Sequence, residues 1–327
     1  MKCCGIIAEF NPFHQGHAYI IHEARLRSRC DALAVITTSY YSQRGLPSLM
    51  SPAAKTKAAL ANGADLVLEL PFCFGTQGAE QFARYAMEAL HQLPIDALCF
   101  GSESGDPAAL MQPPKRTIDP STSYHRNQGY HLQPNDILAS NYLIHCKKMH
   151  IRPIIVQRDP RFESATAIRD AFLNGTRPDE TFDTNQRWEA YYPYLRTYLQ
   201  MTDVQTLSRF FMVDEGIESL LKKNARAKTW EEFLERSVTK KYTKARIRRT
   251  CLWIMMQITK AQMQKHGHFD QLILLGMNET GRQLVKNHQA ISRFSQLDPF
   301  LQEVDLKSRM LYNSVRPDET KRQVIIV

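Results

Sequence analysis

His14 and His17 stand three residues apart with Gly16 between them. They lie where a short apolar run, residues 3–8, gives way to a segment that reads as helix, 18–29. The first-turn N–H groups of a helix lack intrahelical partners, and the helix dipole adds partial positive charge there. Such an end attracts anions. Imidazoles can donate hydrogen bonds to phosphoryl oxygens as charge builds on them. Gly16 permits close approach of a ligand to the backbone, and Pro12 fixes the turn. The pattern therefore predicts a phosphate-ester site, with His14 and His17 as catalytic donors. The turn residues Ile7, Glu9, Phe10, Asn11, Pro12 and Phe13, with Gly16, are expected to line that site.

A second cradle is expected at Ser164-Ala165-Thr166-Ala167-Ile168-Arg169. Ser164 and Thr166 offer hydroxyls at a helix start and Arg169 a guanidinium one turn on, a set suited to phosphates. Arg158 follows an apolar run, where strands hand residues to a ligand edge. Gly101 ends another run and allows backbone approach, with Glu103 beside it as a candidate partner for ribose, metal or cation. Asn135 is expected to cap the next helix and to face the nucleoside. Gln43-Arg44-Gly45 falls in a loop at the same edge, where an Arg can grip phosphate or carboxylate. Glu69 interrupts the apolar run 64–70 and reads as a surface acid at a strand end.

The elements that must position these residues follow from periodicity. Continuous apolar runs at 3–8, 32–38, 64–70, 96–101 and 152–156 read as parallel strands covered on both faces. Helical segments separate them, the second punctuated by Ser51, Pro52 and Gly63. The alternation predicts a doubly wound α/β fold, Rossmann-like, with ligands at the carboxyl ends of the strands. Residues 106–133 read as a long loop. Beyond about residue 176 strand signals vanish, which predicts a nucleotide-binding catalytic domain over 1–175 and a helical domain over 176–327. Within the latter, Leu274-Leu275-Gly276-Met277-Asn278 reads as a helix break and packing turn.

Of 327 residues, 42 are Lys or Arg and 33 Asp or Glu, a formal charge of +9. A moderate positive balance suits a polyanionic partner without requiring one. The basic run Lys240, Lys241, Lys244, Arg246, Arg248 and Arg249 packs six cations around Tyr242. It is expected to meet RNA phosphates, with Tyr242 stacking on a base. Seven scattered cysteines form no CxxC pair and read as buried small hydrophobes of a reducing compartment. No apolar run approaches the length of a membrane span, and the N-terminus does not read as a signal peptide. These features point to a soluble cytoplasmic protein.

The HxGH turn resembles the HIGH-type motif of the nucleotidylyltransferase superfamily. The longer string GIIAEFNPFHQGH, with GADLVLELP, FGSE, PND, SATAIR and KKYTKARIRR, resembles the tRNA-Met cytidine acetate ligases across nearly the whole chain. The resemblance implies an ATP-dependent ligase that makes acetyl-adenylate from acetate and acetylates N4 of the wobble cytidine of elongator tRNA-Met. It implies ATP accompanied by Mg²⁺, with no residue marked as a metal ligand. The segment 37–53 departs from the family pattern: Tyr40 stands where an Asn is usual, and Ser51-Pro52-Ala53 where Asp-Lys-Trp is usual. Two alternatives remain open at this level: an adenylyltransferase for another small acid or phosphate, and a catalytically impaired RNA-binding homologue.

Overall fold

The computed structural model describes residues 1–111 and 133–327. The chain runs β1 (Cys3–Ile7), α1 (Gln15–Ser28), β2 (Ala32–Thr38), α2 (Pro52–Ala61), β3 (Leu66–Leu70), α3 (Phe72–Gly75), α4 (Ala79–Leu90), β4 (Ile95–Ser102), α5 (Pro107–Met111), α6 (Pro134–Met149), β5 (Arg152–Gln157) and α7 (Ala165–Leu173). It continues through α8 (Trp188–Met201), α9 (Val204–Leu207), α10 (Ile217–Asn224), α11 (Trp230–Ser237), α12 (Lys244–Met256) and α13 (Lys260–Gln264). It closes with β6 (Leu272–Met277), α14 (Glu279–Val285), β7 (Ala290–Ile291), α15 (Pro299–Asn313) and β8 (Ile325–Ile326). The expected loop over 106–133 holds α5 at its start; the rest of it lies outside the described residues.

The sheet order is β5-β4-β1-β2-β3-β6-β7, with β8 also paired to β6. The first five strands pair in parallel. Alternate residues feed two cores: Cys4, Ile6, Leu33, Val35 and Val67 pack on one face, Cys3, Ile7, Ala34, Ile36 and Leu68 on the other. Burial on both faces is why these strands read as unbroken apolar runs. Chain order reverses at β1, flanked by β2 and β4, so the crevice for a ligand opens at the end of β1.

The second half departs from the purely helical expectation. Leu272–Met277 is a strand, antiparallel to β3, and not a helix break. A six-residue apolar run has no periodicity that separates strand from helix. Tertiary pairing decided the matter: a Cβ on Gly276 would lie 2.5 Å from Thr56 Cγ2. Asn278 then caps α14, accepting from Gly281 N at 3.0 Å.

The structure also corrects the reading of Glu69. It is buried, accepts from Ser39 Oγ at 2.6 Å and pairs with Arg322 Nη1 at 2.8 Å. Arg322 also reaches Asp305 at 2.9 Å, so a residue near the C-terminus neutralises two buried acids. Six cysteines are buried, Cys30 is half-buried, and all seven are free. No described helix is long and apolar enough to cross a membrane.

Candidate active site

A cavity of about 430 Å³ opens at the carboxyl ends of β1, β4 and β5. His14, His17, Gly16, Gly101, Asn135, Arg158, Ser164, Thr166 and Arg169 all line it, as do Ile7, Glu9, Phe10 and Asn11. The structure thus gathers residues from both predicted cradles around one space. Pro12 and Phe13 form the turn behind it, and Phe13 packs against His17, ring centroids 5.6 Å apart.

His14 is the N-cap of α1. Its Nδ1 accepts the Gly16 N–H at 3.0 Å, and His17 Nδ1 accepts the His14 N–H at 3.3 Å. Each ring therefore uses Nδ1 as an acceptor, which places the proton of the neutral ring on Nε2. Burial holds both rings neutral. His14 is pushed down to about 4, with Arg158 and Arg177 adding to the effect. His17 is pushed well below its ordinary value by burial and by His14. The two rings lie tilted by 33° against each other, centroids 3.9 Å apart. The capping geometry sets two neutral Nε2–H donors at one helix end.

Gly16 has a more specific reason than ligand approach. A Cβ there would fall 2.8 Å from His14 Cε1, so only glycine lets the imidazole fold back over the first turn. At Gly101 a Cβ would meet Ile20 Cδ1 at 3.0 Å, so this glycine also lets α1 pack on β4.

Ser164 caps α7, accepting from Ala167 N at 3.1 Å. Thr166 and Arg158 are exposed on the cavity side. Arg169 is placed otherwise than a free phosphate clamp. It is buried, and its Nη1 donates to Asn11 Oδ1 at 3.1 Å and Pro47 O at 2.9 Å, while Nη2 donates to Gln186 O at 2.7 Å. Burial lowers its pKa to about 10. A guanidinium one turn into the helix points inward because the hydrophobic neighbours Ile168 and Phe172 seat that face in the core. Asn11 joins the same network through Pro47 O at 3.2 Å and Leu49 N at 3.0 Å.

Asn135 is not the N-cap of α6; Gln133 is, with Pro134 at the first position. Glu103 supplies the missing acceptor, taking Asp136 N at 2.9 Å and Asn135 N at 3.3 Å. Its carboxylate is therefore spent on the helix start. Asp136 answers by accepting from Ser102 Oγ at 2.5 Å and Glu103 N at 2.8 Å. This reciprocal pair fixes the Gly101–Glu103 turn and leaves the Asn135 side chain facing the cavity.

Glu9 accepts the Gln43 N–H. Burial raises its pKa, while that hydrogen bond and the charges of Arg44, Lys55 and Arg249 pull it back. Lys55, on α2, is a buried cation that sequence reasoning missed. Its Nζ donates to Thr38 O at 3.0 Å and Ser39 O at 3.1 Å, and burial pushes its pKa down. The available signal was a lysine amid alanines on the face of α2 that also carries Ala59.

The basic run is corrected in part. Tyr242 is buried and its hydroxyl donates to Glu215 O at 2.6 Å, so it is not free to stack on a base. Arg246 donates to Met212 O at 3.0 Å and is half-buried. Arg249 is buried and donates to Gln43 O at 3.2 Å. Arg248 is half-buried behind Gly45, where a Cβ would lie 2.8 Å from its backbone carbonyl carbon. The first turns of α12 thus brace the Gln43-Arg44-Gly45 loop. Lys240 and Lys244 are exposed, and Lys241 reaches Glu215 at 3.4 Å. The charge count could not reveal which cations turn inward, because that depends on the loop packed against them.

A parallel sheet whose first strand leads into paired imidazoles at a helix start is the architecture of a HIGH-type nucleotidyl transferase. The HIGH Nucleotidyl Transferase family model matches residues 1–133 and 114–324. The chain belongs to the tRNA(Met) cytidine acetate ligase family. It is 31% identical to the ligase of Geobacillus sp. (strain WCH70), over 99% of this chain and 97% of that one. It is also 31% identical to that of Anoxybacillus flavithermus, over 97% and 96%. Among solved structures it is similar in fold to Thermotoga maritima TmcAL bound with alpha-thio ATP, with a TM-score of 0.83 at 24% identity and complete coverage of both chains.

Proposed function

We propose that this chain activates acetate with ATP and transfers the acetyl group to N4 of the wobble cytidine of elongator tRNA-Met. A carboxylate oxygen of acetate attacks the α-phosphorus of ATP. The bond to the bridging oxygen breaks and pyrophosphate leaves. The cytidine N4 then attacks the acyl carbon, loses a proton and expels AMP. His14 and His17 donate from Nε2 to the α-phosphoryl oxygens, whose charge is greatest in the transition state. The α7 start, through Ser164 and Thr166, receives the leaving pyrophosphate, and Arg158 adds charge beside it. Gly101 and Asn135 flank the nucleoside. Positioning and preorganised donors supply most of the acceleration.

The observation that carries this reading is the pair of neutral imidazoles with Nδ1 tied to the backbone, facing α7 across one cavity. Mg²⁺ fits as a companion of the ATP phosphates. The described residues hold no group of three His, Cys, Asp or Glu able to cage it, so phosphate oxygens and water would supply most of its ligands. The exposed Lys240 and Lys244, with Lys241, are the members of the basic run able to meet RNA phosphate. Such a reaction belongs in the cytoplasm, with its tRNA and ATP.

Labelled pyrophosphate with ATP and acetate, and in parallel labelled acetate with ATP and elongator tRNA-Met, provide the test. Acetate-dependent ATP–pyrophosphate exchange and labelled acetyl on the tRNA are expected. Exchange with another acid only would make the chain an adenylyltransferase of that acid. Tight tRNA binding without any exchange would make it an RNA-binding homologue.

A further inference from the structure

We infer that Arg44 receives the carboxylate of the acid substrate, a short-chain monocarboxylate, and so decides which anion meets the α-phosphate. This rests on the function proposed above.

Three observations converge on Arg44. The first is its place. Arg44 lines the cavity from the loop after β2, whereas the phosphate cradles follow β1 and β5 and the nucleoside residues follow β4. In the sheet, β2 lies on the opposite side of β1 from β4 and β5. In-line displacement at phosphorus needs the attacking and leaving oxygens on opposite sides. Pyrophosphate leaving toward Ser164 and Thr166 therefore requires the acid to arrive from the β2 side, where Arg44 stands.

The second observation is rigidity. The loop's main chain is held almost residue by residue. Glu9 takes Gln43 N, Arg249 gives to Gln43 O, and Trp188 Nε1 gives to Gly45 O at 2.8 Å. Pro47 O receives Asn11 and Arg169, and Ser48 O receives the Tyr312 hydroxyl at 2.9 Å. Gly45 sits at φ +71°, and a Cβ there would lie 2.6 Å from Arg249 N. The backbone is thus held on both sides of Arg44, which is the preorganisation an anchoring residue needs.

The third is availability. Lys55 spends its protons on Thr38 O and Ser39 O, and Arg249 donates to Gln43 O. Arg44 is half-buried and forms no ion pair among the described residues. Its planar fork matches a carboxylate through two parallel hydrogen bonds.

Acetate-dependent ATP–pyrophosphate exchange on the full chain tests the assignment, with Arg44→Ala and Arg44→Lys beside the wild type. Arg44→Ala is expected to raise the KM for acetate by about tenfold or more, the loss of a hydrogen bond to a charged group, and to leave the KM for ATP unchanged. Arg44→Lys falls between. Should exchange vanish in Arg44→Ala, added guanidinium ion restores it if the lost group is the anchor. An unmoved acetate KM, a parallel rise in the ATP KM, or no restoration by guanidinium overturns the role of Arg44. A wild-type chain that exchanges with no acid overturns the proposed function itself, and the role of Arg44 with it.

Discussion

Replacing His14 by Asn separates the two jobs of this imidazole. Asn is a good N-cap, so its side-chain oxygen can still accept the Gly16 N–H. It does not titrate, and it lacks the Nε2–H. In the wild type, burial carries His14 from an ordinary 6.5 to about 4. Between those values the unfolded chain binds the proton and the folded chain does not. Stability contributed by the neutral ring is therefore complete above pH 6.5 and is lost as pH falls to about 4. At about 1.4 kcal/mol per pH unit, the loss is at most ~3 kcal/mol, less whatever water at the cavity edge restores. Urea unfolding at intervals from pH 7 to pH 4 reads it. His14→Asn should shed most of that part of the wild-type decline, because the other titrating groups are common to both proteins and only His17, which His14 helps to depress, changes with it. The same variant should lower kcat by ~10²–10³, the worth of one preorganised donor to a developing oxyanion. Parallel stability curves for the two proteins would show that His14 is not held neutral by its surroundings. Full activity in the variant would remove it from the reaction.

Gly45→Ala should destabilise the chain by ~2–4 kcal/mol, from left-handed backbone and a contact closer than any Cβ accepts; a unchanged urea midpoint would mean that the loop is not pinned against α12. Arg322→Ala leaves Glu69 and Asp305 buried without their shared cation and should cost ~3–5 kcal/mol, read as a lowered thermal midpoint that recovers in part in acid. Lys240→Ala/Lys244→Ala should weaken tRNA binding and flatten its dependence on salt by about one unit of slope per lost phosphate contact, with acetate-dependent exchange unaltered; equal slopes would place the RNA elsewhere.

The two helix starts that face each other across the cavity were legible because each is local in sequence. A strand end, a turn and a helix start lie within Gly5–His17, and the second cradle lies within 164–169, so one-dimensional pattern and three-dimensional geometry coincide. What escaped was long-range. Arg169 reads as a phosphate ligand until Asn11, Pro47 and Gln186 are seen around it. Glu103 reads as a ligand until Asn135 and Asp136 present their N–H groups to it. Tyr242 reads as a stacking platform until it is seen buried, with its hydroxyl on Glu215 O. In each case a polar group able to serve a ligand serves the backbone instead, because buried backbone groups must be paired. Leu272–Met277 belongs with these: its strand partner, β3, lies about two hundred residues earlier.

The departures from the family pattern at 37–53 gain a physical account from the same long-range packing. Tyr40 is buried against Tyr312 on α15, ring centroids 5.0 Å apart, on the side of the loop away from the nucleotide cavity. Ser51 caps α2 through Ala54 N at 3.2 Å, with Pro52 in the first turn, and these serve the helix that brings Lys55 beneath the loop. The residues of this segment that reach the cavity are Ser42, Arg44 and Leu46, on the arm held by Glu9, Arg249 and Trp188. Tyr40 and Ser51–Ala53 thus lie in the support of the loop, and Arg44 on the face it turns to the cavity. Donors from the second half of the chain, Arg249, Trp188 and Tyr312, fix three carbonyls of that support. The loop that carries Arg44 therefore takes its shape only when the second half is folded against it, which ties α8, α12 and α15 to one wall of the cavity.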